Sequence, residues 1–128
     1  MSEPLPTVQP QEETVDIAMA RLVQALTLLR ALDREMSAQV LATFFFIGAH
    51  NGCLKTTLEK SNRMSTSSSS RTIDYLCLVK ARKEAPEIAL IEKRFDPINK
   101  KQVRLYLTDA GKLLIYQLKC CVFANQHP

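Results

Sequence analysis

The chain has 128 residues, of which 46% are hydrophobic, a size that suits one domain able to bury roughly two thirds of its unfolded surface. No apolar run approaches the ~20 residues that cross a bilayer, and the acidic, Pro-rich start MSEPLPTVQPQEE lacks the basic and apolar parts of a signal peptide, so a cytoplasmic protein without membrane contact is expected. The net charge of +4 is unevenly spread: residues 1–36 carry six acids against three bases, leaving 14 bases against seven acids in the remainder, a field that suits a polyanionic partner.

Residues 1–13, with Pro4, Pro6 and Pro10 and few apolar groups, predict a mobile or extended tail. A helix is predicted over residues 14–33. Val15, Met19, Leu22, Leu26 and Leu29 recur at spacings of four and three, and Ala18, Val23, Ala25, Leu28 and Leu32 widen the stripe. One small core cannot cover that much apolar surface from a single helix. Either the helix is deeply buried or it also packs against a second subunit.

A second helix is predicted from Ser37, as N-cap, to residue 49, where Asn51-Gly52 ends it. Val40, Leu41, Phe44, Phe45 and Ile47 make it the most apolar of the set and place it at the centre of the fold, with His50 as a partner for its C-terminal dipole. A short third helix is predicted over residues 56–61. A fourth begins at Ser65, which can cap it, because Ser69, Ile73 and Leu76 follow at helical spacing. The four consecutive serines would suit a linker by composition, but the apolar periodicity on both sides argues for a helix. That phase turns Thr66, Ser67, Ser68, Ser70, Arg71, Asp74 and Tyr75 outward. Short hydroxyls and one Arg at a helix N-terminus let the backbone approach phosphates and base edges closely. The same helix can continue through CLVKARKE to Pro86, carrying Lys80, Arg82 and Lys83 on its last turns.

From residue 88 the period changes to two. Residues 88–95 and 102–107 predict two strands, with Val103, Leu105 and Leu107 on one face and Arg104 and Tyr106 on the other. FDPINKKQ between them reads as a turn with a basic tip. Thr108 caps a last helix, TDAGKLLIYQLKCCVF, again apolar on more than one side. Cys53, Cys77, Cys120 and Cys121 have neither CxxC nor zinc spacing and are expected to be free thiols in the core. With two histidines, no metal constellation and no Gly-rich phosphate loop, neither an enzyme nor a bound cofactor or metal is expected.

Three helices with a two-helix unit in their second half, then a basic hairpin and a closing helix, is the order of a winged helix-turn-helix, mostly α with a small β-hairpin (α+β). Over residues 37–118 the sequence resembles the MarR-type winged-helix transcription regulators. STSSSSRTIDYL is similar to their recognition helix, and LIEKRFDPINKKQVRLYLTDAGKLL to their wing, with Asp96-Pro97 at the tip and Leu107-Thr108 followed by Gly111 at the start of the next helix. The resemblance implies a homodimer whose first and last helices (residues 14–33 and 108–123) form the interface through Val15, Met19, Leu22, Leu26, Leu29, Leu114 and Leu118. It implies recognition helices in successive major grooves of double-stranded DNA, with wings on the flanking minor groove or phosphates.

The expected DNA contacts are Ser65, Thr66, Ser67, Ser68, Ser70, Arg71 and Tyr75 from the helix, and Lys93, Arg94, Lys100, Lys101 and Arg104 from the wing. Residues 14–128 would then form a DNA-binding domain of a regulator that represses by occupancy. The sequence departs from the family in three places. Ile98 stands where an Arg usually follows the wing Asp by two residues, so lysine contacts to phosphate are expected there instead of Arg insertion. Residues 77–87 exceed the usual connection into the wing, and the long closing helices of typical members are not found before Pro128, which leaves dimer geometry and any small-molecule effector open. The alternative function is a winged-helix adaptor in a replication, partition or anti-repressor assembly, distinguished by an absence of duplex binding.

Overall fold

The computed structural model describes residues 14–123; the expected N-terminal tail and the final five residues lie outside it. The first helix, α1 (Ile17–Leu32), is capped by the Asp16 carboxylate, which accepts from the Met19 amide at 3.2 Å. Next, α2 (Ala38–Ala49) begins at Ser37 as predicted, with the Ser37 hydroxyl accepting from the Val40 amide at 3.2 Å. It ends at His50, whose Nδ1 lies 3.2 Å from the Phe46 carbonyl and whose ring stacks on Phe46. Gly52, at φ +89°, turns the chain into a two-residue strand that periodicity could not reveal, β1 (Cys53–Leu54).

The helix-turn-helix follows directly. Its first arm, α3 (Lys55–Asn62), stops at Arg63, which takes the left-handed conformation at φ 52°, and the Met64 amide then donates back to the Glu59 carbonyl at 2.9 Å. The second, α4 (Thr66–Leu76), starts at the predicted Ser65 cap. It does not run on to Pro86. The positions that would continue its inward face, Lys80 and Lys83, are charged, so a longer helix would bury lysines. Instead the chain leaves at Cys77, and Val79 pairs with Ile88 in an isolated antiparallel bridge. Lys80, Arg82 and Lys83 therefore lie in an exposed loop.

The wing is β2 (Ile91–Phe95) and β3 (Val103–Leu107), antiparallel with Ile91 opposite Leu107 and Phe95 opposite Val103. β1 adds to the other edge of β3, so the sheet order is β1-β3-β2. Finally α5 (Asp109–Val122) is capped by Thr108, whose hydroxyl accepts from the Gly111 amide at 3.0 Å, and it packs against α1. A Cβ on Gly111 would lie 2.1 Å from the Leu90 carbonyl oxygen, which explains why the LT-x-x-G join needs glycine at that point.

The core lies where the helices meet the sheet: Phe44 and Ile47 from α2, Leu58 from α3, Ile73 and Leu76 from α4, and Leu105 from β3. Leu29, Leu114 and Leu118, expected in a subunit interface, are buried in this core. In α5, Leu114 and Leu118 fall on the inward phase, while Leu113 and Tyr116 fall on the outer one. All four cysteines are free and half-buried, and burial pushes the thiols of Cys53 and Cys77 above the usual range.

Candidate nucleic-acid interface

The start of α4 is built by hydroxyls with different tasks. Ser65 accepts from the Ser68 amide at 3.1 Å and satisfies one of the helix's orphan donors. Ser69, fully buried, donates to the Glu59 carboxylate and lies 3.1 Å from the Thr66 carbonyl, which locks α4 onto α3. Glu59 is held in turn by Lys55 at 2.6 Å, and these two partners keep its carboxyl below the ordinary range. From α2, Gln39 Nε2 donates to the hydroxyls of Ser68 (2.6 Å) and Thr72 (3.1 Å). Thus α4 is fixed from both neighbouring helices. Ser65, Thr66, Ser67 and Arg71 are left exposed, and Arg71 makes no ion pair among the described residues.

Other members of the expected contact set are occupied. Ser68 is half-buried under Gln39, and Ser70 is also half-buried. Tyr75 turns away from the outer face: its hydroxyl donates to the Asp33 carboxylate at the end of α1, and burial together with that carboxylate pushes the phenol up. Sequence phase alone placed Tyr75 outward because the turn between α1 and α2, which covers it, has no periodic signature.

The wing presents two kinds of cation. Lys100 and Lys101 are exposed at its tip, and neither forms an ion pair among the described residues. Lys93 donates to Asp74 on α4 at 2.9 Å, which raises the lysine's pKa and props the wing against the recognition helix. Arg94 pairs with Glu92 and lies over the Tyr106 ring at 4.3 Å, yet both of its partners are on the wing and it stays exposed. Arg104 is an internal strut instead of a free contact. Its Nε donates to Asp96 at 3.0 Å and its Nη1 to the Gly52 carbonyl at 2.9 Å.

The helix and wing face a common space. A groove of about 360 Å³ is lined by Lys55, Thr56 and Glu59 of α3, Thr66 at the start of α4, and Lys101 with Gln102 and Val103 of the wing. Two further residues near this surface escaped sequence reasoning: exposed Arg63 in the turn between α3 and α4, and Gln39, which orients Ser68. A left-handed Arg has no propensity signal, and a cross-helix amide bond has no local one. Among the described residues no group of three or more His, Cys, Asp or Glu side chains could hold a metal, and no helix is long and apolar enough to cross a membrane.

This architecture is a winged helix-turn-helix: α3 and α4 form the two-helix unit, β2 and β3 the wing. More narrowly, comparison with solved structures gives the MarR-type winged helix. The protein RV1404 from Mycobacterium tuberculosis superposes with a TM-score of 0.59 at 21% identity, over 94% of this chain and 81% of that one. A MarR transcriptional regulator from Methanosarcina mazei Go1 gives 0.58 at 14% identity, over 86% and 70%. Reduced AbfR bound to DNA gives 0.54 at 10% identity, over 84% and 67%. At such identities the likeness establishes the fold. No family model and no curated protein matches the sequence.

Proposed function

We propose that the protein is a sequence-specific, double-stranded DNA-binding transcription regulator that represses as a homodimer. The observation that carries this reading is the juxtaposition of the start of α4, with Ser65, Thr66, Ser67 and Arg71 exposed, and the lysine-bearing wing tip across one groove. Short hydroxyls on a rigid helix can approach base edges, Arg71 supplies a bidentate donor for a guanine or phosphate, and Lys100 and Lys101 supply charge for the flanking backbone. The fold is shared with a MarR transcriptional regulator and with a protein whose structure was solved bound to DNA.

A second copy is the natural cover for the apolar surface left on the outer faces of α1 and α5. Met19, Leu22 and Leu26 of α1, and Val15 just before it, are each at least 46% exposed, Leu113 and Tyr116 likewise, and an apolar groove of about 440 Å³ lies between α2 and α5. Two-fold pairing there would offer two recognition helices to half-sites about one helical turn apart. The test is selection of bound sequences from random duplexes at fixed salt, followed by Arg71→Ala. Loss of about 1 to 3 kcal/mol of affinity with relaxed preference at one base position is expected. Unchanged affinity and preference would reject this use of α4.

A further inference from the structure

The wing tip carries an apolar knob that the fold does not use. Ile98 is 97% exposed and Phe95 71% exposed, with exposed Pro97 between them in sequence. The backbone beneath the knob is nevertheless fixed. Asp96 Oδ1 accepts from the amides of Ile98 (2.9 Å) and Asn99 (3.4 Å), its Oδ2 accepts from Arg104, and its own amide donates to the Gln102 carbonyl at 2.9 Å. Asn99 closes the other side, accepting from the Lys101 amide at 3.1 Å through its side chain and from the Gln102 amide at 2.9 Å through its carbonyl. A rigid apolar projection followed in sequence by two exposed lysines suits a narrow groove between anionic ridges whose stacked bases admit an apolar wedge. The minor groove of duplex DNA, about 6 Å wide between phosphate ridges, is such a groove.

We propose that the wing enters the minor groove as a wedge, with Ile98 seated between adjacent base pairs, partly unstacking them and kinking the duplex, while Lys100 and Lys101 hold the phosphates on either side. The inference rests on the reading of the protein as a duplex-DNA binder and adds to it a source of specificity. Pyrimidine–purine steps unstack most readily, so binding sites should carry TA or CA/TG steps under the wings, selected by deformability without base contacts.

The experiment uses the full chain and a duplex recovered from a random pool, with 2-aminopurine substituted in turn at the steps flanking the recognition-helix sites and a donor–acceptor dye pair at the ends. Wild type should raise the 2-aminopurine fluorescence at one flanking step per half-site and shorten the end-to-end distance. Ile98→Ala should abolish both signals and weaken binding on the order of tenfold while leaving the salt dependence of affinity unchanged. Lys100→Ala should do the reverse, lowering the salt slope by about one and keeping the fluorescence signal. Because Ile98 touches almost nothing in the protein, Ile98→Ala should melt like wild type, and a melt confirms that the variant is folded. Duplex binding with neither signal, or an Ile98→Ala protein that bends and binds as wild type does, would overturn the wedge while leaving the DNA-binding reading intact. Absence of duplex binding by wild type even at low salt would overturn both.

Discussion

At the scale of single residues, the wing depends on one carboxylate. The Ile98 amide first, then the Asn99 amide and the Arg104 guanidinium, hold the Asp96 carboxyl below its ordinary range. Because the folded value is the lower one, this group's contribution to the wing is complete above the unfolded carboxylate pKa of about 4 and is lost as pH falls through the lowered value. Amide exchange at Ile98 and Asn99, followed on a falling pH series, should show protection disappearing below that range. Arg104→Gln removes one stabilising partner, raises the Asp96 pKa, and should move the loss to higher pH. An unchanged midpoint would show that Arg104 is not the strut described. Sequence phase assigned Arg104 to the exposed face of β3, which is its correct face, but its tie to Gly52 depends on β1, a strand of two residues with no period of its own.

At the scale of elements, the joins are as informative as the helices. The contact between Gly111 and the Leu90 carbonyl sets how α5 leaves the wing, so Gly111→Ala should force the two apart and destabilise the fold by about 1 to 3 kcal/mol in a denaturant titration. A variant as stable as wild type would mean that the join is looser than its geometry implies. This join was legible because threonine caps, glycine and the change from period two to period 3.6 all fall within LTDAG. The same kind of signal located the starts of α2 and α4 at Ser37 and Ser65. The end of α4 was less legible: CLVKARKE contains no breaker before Pro86, and only the inward register of Lys80 and Lys83 disfavours further helix. Within α4, helical phase set Ser69 inward, but it could not tell exposed Ser67 from half-buried Ser68, since the cover on Ser68 comes from Gln39, 29 residues away in sequence.

At the scale of the whole molecule, the chain places its apolar excess and its basic wing on separate features of one small fold. The stripe on α1 was visible in sequence, but which of its members face outward was not, because Ala25 and Leu29 drift onto the inner phase as the helix packs on α5. Leu22→Glu places a charge on the outer phase without entering the core. On the proposed pairing, it should convert a dimer to a monomer in sedimentation while leaving the helical content unchanged, and a dimer that persists would place the subunit contact elsewhere. The most direct test of the central claim is the affinity of the intact protein for a selected duplex between 50 and 200 mM salt. If two subunits together neutralise roughly 6 to 10 phosphates, affinity should fall by about 10³ to 10⁵ over that range; a fall of less than about tenfold would contradict a DNA-binding role for the α4 and wing surface.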